Sequence, residues 1–82
     1  MELTRYWVEF KQEGAPTFLR LGCGVTAYGK ADALTLLQQA LGGELPAIER
    51  IAEDIDVRTL DQSHVVPNMG VPNERGVWFP ML

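Results

Sequence analysis

The 82-residue chain reads as an α+β domain: a small antiparallel sheet of three or four strands packed by one helix, in the order β-β-α-β-loop-β. Three observations predict this. Apolar residues alternate with period two over residues 4–12 and again over 18–28; the spacing lengthens to three and four over 30–42; two more β-rich stretches, 48–58 and 76–79, follow.

In "RYWVEFK", Tyr6, Val8 and Phe10 alternate with Trp7, Glu9 and Lys11, the pattern of a strand with one buried and one partly exposed face. "EGAP", residues 13–16, supplies the Gly and Pro of a reversal. From Phe18 to Tyr28, Leu19, Leu21, Cys23, Val25 and Ala27 take one face, while Phe18, Arg20, Gly22, Gly24, Thr26 and Tyr28 take the other. Interior glycines weaken a strand unless something packs closely over them, so an aromatic ring, Trp7 or Trp78, is expected across Gly22 or Gly24, or else a bulge.

"KADALTLLQQALGG" changes period: Ala33, Leu34, Leu37, Ala40 and Leu41 form one stripe, and Ala, Leu and Gln are good helix formers. The helix is placed at residues 30–42, with Asp32 at the positive end of its dipole and Gly42-Gly43 ending it. Its stripe is expected on the Leu19, Leu21 and Val25 face of the sheet. In "LPAIERIAEDIDVRTL", Ile48, Ile51 and Ile55 fit a helical stripe, while Ile51, Ile55 and Val57 partly fit a strand. The β-branched content and the preceding Gly-Gly and Pro46 favour a bulged strand over 48–58. Beyond it, Thr59 is expected to cap a short turn, and Asp61 or Ser63 to bond nearby amides. Val65-Val66 reads as a brief pairing, "PNMG" and "VPNERG" as successive turns, and "GVWF" as a last strand stopped by Pro80.

Composition sets the class. A chain of 82 residues, 46% hydrophobic and 22% charged, has the make-up of one soluble domain and no room for a second core. Cys23 is the only cysteine, so no intrachain disulfide can form, and a reducing compartment is expected. The start "MELTRYWVEF" lacks a basic region followed by an apolar run, and no stretch reaches the ~18 apolar residues of a membrane span. The expected location is the cytoplasm. A net charge of −4 disfavours nucleic acid and anionic membranes and favours a basic partner. Tyr6, Trp7, Trp78 and Phe79 could stack bases only beside a positive groove, and the seven bases are scattered, so these rings are assigned to the core.

Catalysis finds little support. His64 is the sole histidine, and a Cys23–His64 pair would still need an orienting group and oxyanion donors around a pocket. Cys23, inside "LRLGCGVTA", reads as a buried small hydrophobe. No metal-ligand spacing such as HxxxH occurs, so no metal or cofactor is expected and the protein is read as a non-enzyme.

The acidic run Glu49, Glu53, Asp54, Asp56 and Asp61 suits either a solvated strand edge that deters unwanted pairing or a docking surface for a basic protein. With His64, Asn68, Glu74 and Arg75 of the following loop it forms the candidate partner-binding set; Arg75 would either pair with a local carboxylate or reach the partner. Two other readings stand beside this one. The first is a small-ligand or enzyme-accessory pocket uniting His64, Asn68 and Arg75. The second is an oligomeric structural subunit joined through a sheet edge; monomer and homodimer are both compatible with the chain.

Arg5 to Trp7, Gly22 to Ala27, Thr59 to Asp61, His64, Pro67 to Gly70 and Arg75 to Pro80 resemble the corresponding segments of a group of short bacterial proteins of unassigned function. These begin with an Arg-Tyr-Trp strand and end in Pro-Asn-Met-Gly followed by Arg-Gly-Val-Trp and an aromatic-Pro. The resemblance spans nearly the whole chain and carries over no activity, cofactor or catalytic residue. Before the Arg-Gly pair, where that group can have a Trp or another bulky residue, this chain has Asn73-Glu74. In type, a single acidic domain poor in cysteine is also similar to the immunity proteins that neutralise toxins passed between competing bacteria, which implies a basic toxin as partner.

"VVPNMGVPNERGVWFP", residues 65–80, is therefore expected to act as a clasp, because Trp78 and Phe79 are worth roughly 1.5–3 kcal/mol or more each when buried. Ending the chain at residue 76 is expected to abolish cooperative unfolding followed by circular dichroism. A fragment that still folds would overturn the clasp.

Overall fold

A computed structural model describes residues 2–13, 16 and 19–80. Its strands are β1 (Thr4–Phe10), β2 (Cys23–Ala27), β3 (Ile48–Glu53) and β4 (Gly76–Phe79), and its helix is α1 (Lys30–Leu41). They form one antiparallel sheet, order β3-β1-β2-β4, with the helix on one face. The predicted fold class holds. No helix among the described residues is long and apolar enough to cross a membrane.

Alternation along the strands sorts side chains onto two faces. Tyr6, Val8 and Phe10 of β1 pair with or lie beside Cys23, Val25 and Ala27 of β2, and Ala33 and Leu37 of the helix close over them. Leu19 joins this core. On the opposite face Trp7, Trp78, Phe79 and Val65 form a second core, roofed by half-buried Ile55, Val57, Leu60 and Met69 from the segment between β3 and β4. The sheet is thus sandwiched between a helix and a layer of loop.

A bulge makes the second core possible. Gly24 pairs with Phe79 and Val25 with Val77, so Trp78 is an extra residue, and both aromatics point to the loop side. The Trp78 ring lies flat against Gly24, where an added Cβ would overlap it, and Trp7 likewise crowds Gly22. The expected aromatic cover is present at both glycines. Trp7 stands 6.0 Å from the Trp78 ring and 5.7 Å from that of Phe79.

Polar bonds fasten the loop layer. Buried Thr26 donates its hydroxyl to the Pro72 carbonyl at 2.6 Å and accepts the Trp78 indole N–H at 3.1 Å. Arg5 donates from Nε to the Ile55 carbonyl at 2.8 Å and from Nη1 to Asn73 Oδ1 at 3.1 Å. The Gly70 amide donates to the Trp78 carbonyl at 2.6 Å. The buried indole and hydroxyl among these groups are thereby spared the cost of lacking a partner.

Five expectations need correction, the first being that Asp56, not Thr59, caps the turn after β3, where the Thr59 hydroxyl donates to the Asp56 carbonyl. β2 begins at Cys23, because residues 19–22 turn: the Gly22 amide donates to the Leu19 carbonyl and Gly22 takes φ 104°, a left-handed conformation that glycine tolerates. Leu21 is therefore turned outward, 44% exposed, while Leu19 is buried. β3 ends at Glu53, five residues early; Asp54 adopts φ 54°, and Asp56 then accepts from the Arg58 amide to start a single 3-10 turn over Val57–Thr59. Within β3, Arg50 pairs with Glu9 and Ile48 with Phe10, leaving Glu49 as the bulge. Val65-Val66 does not pair: the two amides bond the Asp61 carbonyl, and a 3-10 turn follows over Val66–Asn68. Gly14, Ala15 and Phe18 lie outside the described residues.

The helix ends where expected, on Gly42 with φ 79°, whose amide donates to the Gln38 carbonyl. At its start Asp32 accepts from the Tyr28 amide at 3.0 Å and from Arg75 Nε at 2.9 Å, with a second Arg75 nitrogen on Oδ1. The Arg75 guanidinium also covers the Tyr28 ring, 5.4 Å from its centre. Arg75 is thus the latch between the clasp and the helix.

Gly24→Ala is expected to lower stability by about 1–3 kcal/mol, since the new methyl must displace the Trp78 ring. The denaturation midpoint should fall with the slope unchanged, whereas Gly43→Ala, facing open space, should stay within about 0.5 kcal/mol. The latch is expected to show in pH dependence. Hydrogen bonds from Arg75 and then the Tyr28 amide hold the Asp32 carboxyl down at about 2, against an ordinary 3.8. A depressed folded pKa means that the unfolded chain takes up the proton first, so this stabilisation is present above pH ~4 and is lost as pH falls towards ~2. Asp32→Asn should flatten the stability profile across that window; an unchanged acid limb would remove the latch.

Candidate functional site

The residues singled out in the sequence do not form one surface. The register puts Glu53 opposite Tyr6, on the helix side, while Asp56 and Asp61 belong to the loop layer and Glu49 stands at the β3 bulge. Arg75 is held at the helix start, where Glu74 precedes it on the chain.

Local bonds occupy several of them. Asp56 is clasped by Arg58 at 2.7 Å, and the hydrogen bonds from the Arg58 side chain and then its backbone amide hold the carboxyl at about 2. Asp61 Oδ1 accepts the amides of Ser63 at 2.7 Å and His64 at 3.0 Å, which pull its pKa below the ordinary value, while Oδ2 faces His64 Nδ1 at 3.3 Å. The expected bonding of Asp61 to nearby amides is present. Asn68 donates its amide to the His64 carbonyl at 2.9 Å. Glu49, Glu53, Asp54 and Glu74 form no ion pair among the described residues.

The pocket uniting His64, Asn68 and Arg75 is not assembled. Arg75 lines a shallow hollow with Gly70, Val71 and Glu74 that includes neither His64 nor Asn68, because the guanidinium is drawn to Asp32 on the helix side. The Cys23–His64 pair is also absent. Cys23 is buried beneath the helix, where burial pushes its thiol up to about 12, and exposed His64 belongs to the layer on the other face. A neutral, enclosed thiol is a poor nucleophile. Among the described residues no group of three His, Cys, Asp or Glu side chains is placed to hold a metal ion.

What the fold does assemble is a groove where the loop layer stops short of the sheet's end. The roof covers Trp7 but leaves its neighbours on that face, Glu9 and Arg50, open. There Trp7, outward-turned Leu21, Ile55, Leu60 and Val65 bound a hollow of about 300 Å³ edged by Glu9, Arg50, Thr59 and Asp61. Arg50 donates to Glu9 at 3.0 Å across the rim. Glu9 also lines a second cleft of about 560 Å³, with Lys11, Arg20 and Glu49 among its walls. Of the candidate set, Asp61 and Glu49 reach these two hollows. Trp7, Glu9, Leu21 and Leu60 were not among the candidates; alternation does place Trp7, Glu9 and Lys11 on the partly exposed face, but nothing local announces that Leu21 leaves the core.

An apolar hollow edged by ionised groups can bind a chain that carries both an apolar stem and a charge. Comparison with family models, with curated proteins and with solved structures finds no match to the chain, so function rests on this geometry alone.

Proposed function

We propose that the chain is a non-enzymatic protein-binding domain that docks a more basic partner across the open end of its loop-covered sheet face. The observation carrying this reading is the groove: Leu21, 44% exposed, lies with Trp7 and Leu60 inside a rim of charged side chains. Exposed apolar surface ringed by polar groups is the anatomy of a contact site, and a net charge of −4 favours a basic occupant. Charge there speeds encounter and sets specificity more than affinity.

Open strand β3 offers a rival mode, the addition of a partner strand. Its sequence carries Glu49, Arg50 and Glu53, followed by Asp54, and charges along an edge discourage such pairing. Side-on docking at the groove is therefore preferred. The narrower form of the reading is an immunity-type inhibitor of a basic toxin, which the acidic net charge supports.

Co-expression with the product of an adjacent gene, followed by size-exclusion chromatography and calorimetry, tests both forms. A stable complex is expected, weakened by salt and weakened about tenfold or more by Leu21→Asp, the loss typical of a central contact residue. If that product is a toxin, co-expression should also restore growth. A complex indifferent to salt and to Leu21→Asp would sink the groove as the docking site, and absence of any complex would sink the partner reading.

A further inference from the structure

We propose that the groove receives an arginine side chain of the partner, an inference that rests on the protein-binding reading above. The hollow is small, about 300 Å³, at the bottom of the range for small-molecule sites, and suits one extended side chain. Exposed Leu21 and half-buried Ile55 and Leu60, above the covered Trp7 ring, supply apolar surface for a methylene stem.

The rim supplies the charge. Glu9 Oε1 accepts from Arg50 Nε at 3.0 Å, which neutralises Arg50 and leaves Glu9 Oε2 with no bond among the described residues. Asp61 Oδ1 is filled by two backbone amides, whereas Oδ2 has only the 3.3 Å approach of the His64 ring. Two carboxylates on one small groove thus each keep an oxygen for an incoming donor. Counting Glu9, Arg50 and Asp61, the lining carries one negative charge in excess.

A guanidinium fits this better than an ammonium. Its donors point along several edges of a plane and can serve two separated acceptors at once, and it sheds water more readily. Lysine would offer a compact, strongly hydrated charge to one acceptor at a time. The backbone amides on Asp61 keep that carboxylate ionised and fixed in position, so little ordering is left for binding to impose.

The test is an amide-resolved NMR titration of the whole chain with N-acetyl-arginine methylamide, set against the neutral isostere N-acetyl-citrulline methylamide. Saturable shifts are expected at the Trp7 indole N–H and at the Leu60 and Asp61 amides, with citrulline weaker by about fivefold or more for want of charge. The double substitution Glu9→Gln and Asp61→Asn should lose a similar factor. It retains oxygens that can accept from Arg50, Ser63 and His64, so an unchanged spectrum elsewhere shows that the fold persists. Equal binding of arginine and citrulline, or shifts scattered over Glu44, Glu53 and Glu74 with the groove silent, would overturn the proposal. The partner complex separates the two readings. A complex that the double substitution leaves intact removes the arginine pocket while the partner reading stands; arginine in the groove with no partner complex does the reverse.

Discussion

The Trp78 indole, flat on Gly24 with its N–H on Thr26, is the contact on which the rest of the molecule depends. A ring of that size can approach the sheet only where a residue lacks Cβ, and its one polar atom can be buried only beside an acceptor. Thr26, two residues along β2 and on the same face, is that acceptor, and its own proton goes on to Pro72. One side chain so places β4 in the sheet, completes the aromatic core with Trp7 and Phe79, and pins the loop that roofs it. Without it the loop face would be bare.

The same packing leaves the groove. The polar ties that hold the roof, from Arg5, Thr26 and Trp78, lie towards one end of β1, and β1 continues past the roof to Glu9. Trp7 marks the boundary. Its ring is covered by Val65 and its neighbours, while Glu9 and Arg50 on the next same-face rung meet solvent and pair with each other. The Gly22 turn then swings Leu21 outward beside them. An apolar surface edged with charge is the by-product of a roof shorter than its sheet.

Much of this was legible along the chain. Period-two alternation identified β1 and the end of β2, the lengthened spacing identified the helix, and two glycines on one strand face called for an aromatic cover that both tryptophans supply. The clasp was readable because Trp78 and Phe79 are costly to expose. The acidic stretch was legible only as charge. Its carboxylates separate onto different faces once Glu49 becomes a bulge and Asp54 turns the chain, and several are engaged by neighbouring bases or backbone amides that composition does not reveal.

Side-chain periodicity, helix propensity and the bulk of a few rings are local quantities, and they suffice for the class of fold, the helix limits and the burial of the C-terminal aromatics. The groove and the Arg75 latch depend on contacts between residues far apart in the chain. Arg75 finds Asp32 across 43 residues, and Arg50 finds Glu9 across 41. Alternation kept Leu21 on the buried face because it assumes an unbroken strand, and a single left-handed glycine was enough to reverse it. Which face is finally covered is settled by how far the roof extends, a length set by packing between distant segments.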